Sequence, residues 1–132
     1  EIIAGNPSYN NFLHKIPTIT IFNLSEIYYI VLNRLGEEKA NETYEEYFPC
    51  VVEIPDDVLK DAMKFKKENK KKDMSYTDCI GYIYALNNKM KFLTGDKEFQ
   101  GLKNVEFVRW IYQEGKILLM NKTVLKITFY GL

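Results

Sequence analysis

Apolar and polar positions along this chain switch between two periods. Thr18–Phe22 (TITIF) is β-branched and alternating, which predicts a strand. From Asn23, the stretch NLSEIYYIVLNRLG places apolar residues at helical spacing and closes on Gly36. Asn23-x-x-Glu26 fits a capping box at its start, with Glu26 in the first turn. Glu37–Tyr47 predicts a second, charged helix, and Cys50–Ile54 a strand. Pro55 opens a third helix, PDDVLKDAMKFKKEN, with proline in the first turn and acids behind it. Ser75 opens a fourth, almost wholly apolar helix that ends near Asn88. Lys91–Thr94 and Val105–Val108 predict two more strands, and Tyr9–Lys15 a short helix ahead of them all. Strands separated by helices imply βαβ units and a mostly parallel sheet, hence the α/β class.

The tail, WIYQEGKILLMNKTVLKITFYGL, changes character. It predicts two strands, Lys116–Met120 and Val124–Tyr130, around a turn at Asn121–Lys122, as a hairpin added at a sheet edge.

The 132 residues fit a single domain over 1–132, and 46% hydrophobic content is enough for a core. No apolar run approaches the roughly 20 residues of a membrane span. The opening EIIAGNPSYNN has neither an initiator Met nor the regions of a signal peptide, so a fragment or a rearranged chain is expected. Cys50 and Cys79 show no CxxC pairing and read as reduced thiols, which places the protein in the cytoplasm. The sequons at Asn23, Asn41 and Asn121 then read as chance. Zero net charge excludes a global basic field drawing in nucleic acid. One local run, KFKKENKKK from Lys64 to Lys72, reads either as a solvated helix face or as a patch that touches phosphates. His14 has no partner in sequence and reads as a surface residue. Tyr28, Tyr29, Tyr82 and Tyr84 serve either core packing or a dimer face.

The candidate chemistry lies in acids. In an open α/β sheet, strand C-termini and the starts of the following helices share one edge, and ligands bind there. Glu26 follows TITIF, Asp78 lies in the first turn after Ser75, and Asp96 follows KFLT. Each has an ordinary use as a cap or turn residue. Brought together, they repel unless a cation is present. A hard divalent ion, Mg²⁺ or Mn²⁺, prefers such oxygen ligands and promotes displacement at phosphorus. Glu98 is a further candidate ligand, and the Thr94 hydroxyl a candidate for holding water or substrate; a solvated turn acid and a plain strand residue are the alternatives.

SYTDCIGYIYALNNKMKFLTGDKEFQGLKNVEFV resembles the C-terminal half of a PIN domain: an Asp opening a buried helix, a strand, Thr-Gly-Asp, then Phe and a short strand. TITIFNLSEIYYIVLNRLG is similar to that family's strand and the helix bearing its acidic residue. The resemblance covers residues 1–109; 110–132 is atypical. It implies a three-layer α/β/α fold and an Mg²⁺- or Mn²⁺-dependent endoribonuclease. It also implies the VapC-like toxins of prokaryotic toxin–antitoxin pairs, commonly homodimers with RNA as substrate and an antitoxin protein as partner. Glu26, Asp78 and Asp96 match the family's acids. The family's first strand, ending in Asp-Thr or Asp-Ser, is missing from the front of this chain. Either the tail fills that slot in a permuted order, with VLKIT as the strand, or the tail is an added hairpin and the start is truncated. No acid lies between Glu114 and Leu132, so the central carboxylate is absent on both readings and an impaired rate is expected. The competing functions are a non-catalytic PIN-like module that binds RNA or protein, and a structural α/β domain whose acids are only caps.

Overall fold

The computed structural model describes residues 18–107, 110–113 and 116–119. The expectations for Tyr9–Lys15, His14 and Val124–Tyr130 lie outside them. The described chain is mixed helix and strand. Helices α1 (Ile21–Leu35), α2 (Glu37–Tyr47), α3 (Asp56–Glu68) and α4 (Tyr76–Asn87) precede strands β1 (Phe92–Thr94), β2 (Val105–Phe107), β3 (Trp110–Gln113) and β4 (Lys116–Leu119).

The expected strand Thr18–Phe22 is corrected to a single rung followed by a helix. Only Ile19 pairs, in a parallel bridge with Val51: its N–H donates to Cys50 O (3.2 Å), and Val52 N–H donates to its carbonyl (2.9 Å). Thr20 then caps α1. Its Oγ1 accepts from Asn23 N–H (3.1 Å), and Asn23 Oδ1 accepts from Thr20 N–H (2.8 Å), a reciprocal capping box. The helix thus starts ahead of Asn23, and Glu26 falls in its second turn. Burial explains why the helix wins. Asn23, Leu24, Ile27 and Val31 form one buried face at helical spacing, which an extended chain would split between two sides. Asn23 is 1% exposed, so its sequon is closed to glycosylation. Likewise the strand expected at Cys50–Ile54 is reduced to the Val51 bridge, because Phe48–Cys50 takes a 3₁₀ turn with Pro49 inside it.

Gly36 ends α1 and opens α2 at φ 92°, ψ 171°. That region is open essentially to glycine alone, at a cost of about 1–3 kcal/mol for other residues. Replacing Gly36 by alanine should therefore destabilise the protein by about that amount, read as a lower urea midpoint at unchanged slope.

The second half carries the larger core. Pro55 precedes α3, with Asp56 and Asp57 in the first turn and Lys66 and Lys67 in the last, the charge order the helix dipole favours. Ser75 caps α4 as expected, its Oγ accepting from Asp78 N–H (3.1 Å). α4 buries Asp78 through Ile83 and Ala85. A Cβ at Gly81 would sit 3.0 Å from Phe92 Cε1, so the bare glycine lets β1 lie close against α4. Strand β1 pairs in parallel with β2 in the register Phe92↔Val105, Leu93↔Glu106, Thr94↔Phe107. Beneath the pair, Phe99 (0% exposed) meets Phe65, Tyr82 and Phe92 at centroid distances of 6.4, 5.7 and 5.4 Å. Tyr82 is therefore a core residue and does not line a dimer face. Tyr28 meets Tyr44 edge-on and donates its hydroxyl to Asn41 Oδ1, whereas Tyr29 is 65% exposed.

The hairpin is β3 with β4, antiparallel from Trp110↔Leu119 to Gln113↔Lys116. The turn expected at Asn121–Lys122 lies outside the described residues, and the β3–β4 hairpin precedes it in the chain. Among the described residues the hairpin forms its own two-stranded sheet and does not extend β1–β2. No helix among the described residues is long and apolar enough to cross a membrane.

Candidate functional site

Asp78 and Asp96 reach one neighbourhood from opposite directions along the chain. Asp78 is the third residue of α4, 5% exposed, with Oδ1 closed off from solvent. Asp96 follows the C-terminal end of β1 and caps the 3₁₀ turn Lys97–Phe99, its Oδ1 accepting from Glu98 N–H (2.9 Å). Both carboxylates act on the Cys79 thiol. Burial is the main cause that pushes this thiol up to about 11; Lys66 pulls it down, and Asp78 and Asp96 each add to the rise.

That shift has a consequence for stability. An unfolded thiol releases its proton near 9.0, whereas the folded one holds it to about 11. The unfolded state then binds fewer protons, so stability falls as pH rises from 9 toward 11. Burial raises the Tyr82 hydroxyl too, adding to the loss at the alkaline end. Urea midpoints at pH 8 and pH 10.5 should show a drop that is smaller in Cys79→Ala. A drop of equal size in that variant would remove Cys79 as a cause.

The turn between β1 and β2 is built to fix Asp96. Thr94 is fully buried and its Oγ1 accepts from Asp96 N–H (3.0 Å). The hydroxyl expected to hold water or substrate is thus engaged in positioning the acid. Glu98 contributes its backbone: its N–H donates to Asp96 Oδ1, and its carbonyl accepts from Lys72 Nζ (3.3 Å). Lys66 reaches back from α3, donating to Met74 O, with Nζ 4.7 Å from the centroid of the Tyr76 ring. Two lysines of the basic run thereby tie themselves to the acidic edge, which sequence spacing did not reveal. Asp73 is exposed, as a loop acid should be.

Glu26 stands on α1, half-buried, with Oε1 closed off from solvent. The charges that act on Cys79 do not include it. Among the described residues, no group of three or more His, Cys, Asp or Glu is arranged to hold a metal ion. The Asp78–Asp96 pair offers hard oxygen donors, and Mg²⁺ commonly takes only one or two carboxylates, completing its shell with waters and substrate phosphates. The pair fits that chemistry. Cys50 and Cys79 are both free thiols. Comparison with protein-family models, with curated proteins and with solved structures finds no match.

Proposed function

We propose that this chain is a metal-dependent endoribonuclease of the PIN type, hydrolysing RNA phosphodiester bonds at the acidic edge. The observation that supports it most is that Asp78, at the start of a buried helix, and Asp96, at the end of a parallel strand, both act on the Cys79 thiol. On this reading β1 and β2 belong to the central sheet of a three-layer α/β/α domain. Asp78 and Asp96 hold Mg²⁺ or Mn²⁺, with Glu26 and Glu98 as the remaining acids of the edge. The ion supplies an activated water and charge stabilisation at phosphorus. Asp96 is held for that role by Thr94 and the Glu98 N–H, and Asp78 by the Ser75 cap. A cytoplasmic toxin with an antitoxin partner, acting as a homodimer, follows from the sequence resemblance alone.

One observation favours the non-catalytic alternative, an RNA- or protein-binding module. The Lys66 ammonium is felt at the same place as the two acids and supplies a positive charge of the chain's own. Calorimetric titration with Mn²⁺, paired with an RNA turnover assay, separates the readings. Mn²⁺ binding with turnover that EDTA stops supports the nuclease. RNA retained without turnover, with no heat from Mn²⁺, supports the module.

A further inference from the structure

Six of the nine positions from Lys64 to Lys72 are lysine. Lys66 and Lys67 lie in the last turn of α3, where a helix C-terminus favours cations. That accounts for two of them. Lys70, Lys71 and Lys72 lie beyond the helix, exposed, where no dipole calls for charge. The loop does not float. Asn69 Nδ2 donates to Phe65 O (2.9 Å), Lys72 N–H donates to Asn69 O (2.8 Å), and Lys72 Nζ reaches Glu98 O on the acidic edge. Beside this loop stands Tyr76, the first residue of α4, 64% exposed although aromatic. The Lys66 ammonium lies near its ring and fixes its place. An exposed, anchored ring among ammonium groups is the pairing that binds unpaired nucleotides: bases stack on the ring while cations neutralise the phosphates.

We propose that Tyr76 and the lysine loop Lys66–Lys72 form a subsite for single-stranded nucleic acid, the ring stacking one base and the ammonium groups contacting the flanking phosphates. Asp78 lies two residues beyond Tyr76 on the same helix start, and Lys72 touches the loop that carries Asp96. A strand seated on Tyr76 would run past both carboxylates. The passage of the strand to the acids rests on the nuclease reading; the binding itself does not. The exposed ring favours a nucleic acid over an acidic protein, because it offers a face on which a base stacks. A lipid surface is disfavoured because it calls for a broad apolar helix face, whereas the aromatic surface set among these ammonium groups is the Tyr76 ring.

The test is fluorescence anisotropy on the full chain in EDTA, with a labelled single-stranded oligoribonucleotide of about twelve nucleotides. Without metal, binding is read apart from cleavage, so the subsite and the nuclease reading fail separately. Tyr76→Ala should weaken binding by about tenfold or more, and Tyr76→Phe, which keeps the ring, by less than about threefold. The variant with Lys70, Lys71 and Lys72 all replaced by alanine should lower the slope of log K against log salt by about 2, from three lost phosphate contacts on a single strand. All of these positions are exposed, and circular dichroism confirms the fold of each variant. Equal affinity of Tyr76→Ala and the parent overturns the proposal. So does equally tight binding of polyglutamate or phosphatidylserine vesicles with the same lysine dependence.

Discussion

Replacing Asp78 by asparagine is expected to lower Mn²⁺-stimulated RNA hydrolysis by about a thousandfold or more. A catalytic metal supplies several kcal/mol of charge stabilisation, and each 1.36 kcal/mol is tenfold in rate. Asparagine keeps the shape and removes the negative charge that would hold the ion on the proposed nuclease reading. The Ser75 cap survives, since it uses the backbone N–H of residue 78. Asp96→Asn should behave alike, and it separates two roles. An asparagine oxygen can still accept from Glu98 N–H, so the 3₁₀ turn keeps its cap while the charge is lost. The measurement is initial rate on a labelled RNA with and without EDTA, alongside thermal melts of each variant. Hydrolysis that persists in EDTA and in Asp78→Asn would sink the metal mechanism.

Phe99→Ala is expected to cost about 3–5 kcal/mol of stability. Phe99 is fully buried and meets Phe65, Tyr82 and Phe92, so truncation leaves a cavity that three rigid rings cannot close. Whole domains have only about 5–15 kcal/mol in hand, so the loss would be a large part of the total. Phe99 is also the last residue of the turn that Asp96 caps. A loosened ring therefore frees the acid, and metal affinity should fall together with stability. Urea unfolding and Mn²⁺ titration read the two effects. A cost under about 1 kcal/mol would show that the cluster repacks without Phe99.

The helices of the second half are legible because their signals agree. Pro55 with two acids, and Ser75 before an apolar run, stand where α3 and α4 begin. The start of α1 misleads because Thr18, Ile19 and Thr20 favour extended backbone locally. The capping partner at the third helical position is Asn23, not the Glu or Gln of the usual box. Tertiary burial of Leu24, Ile27 and Val31 then decides. The strand pairing of Ile19 with Val51 is a long-range choice that alternation cannot show. The pairing of β3 with β4 is hidden because Trp110–Gln113 does not read as a strand of its own. In the site, the places of Asp78 in the first turn of α4 and of Asp96 just after β1 are readable, because a Ser cap and a Gly-Asp turn mark them. The work of Thr94 is not, because its bond to Asp96 N–H depends on how the backbone curls after β1. Lys66 is hidden for a related reason: a long side chain folds back to Met74 across a turn that spacing does not fix.

The register Phe92↔Val105 joins two strands across a short connection, and Asp96 sits inside it. The Ile19–Val51 bridge closes a loop more than twice as long. Loop closure costs about 0.6 kcal/mol for each doubling, and the hydrogen bonds that Asp96 makes with Thr94, Glu98 and Phe99 all come from the shorter side of that scale. Thr94, Glu98 and Phe99 are all its near neighbours in sequence. The hydrogen bonding of this carboxylate is thus written into one short stretch of chain, while the rings of Phe65 and Tyr82 against Phe99 fasten that stretch to the two helices before it.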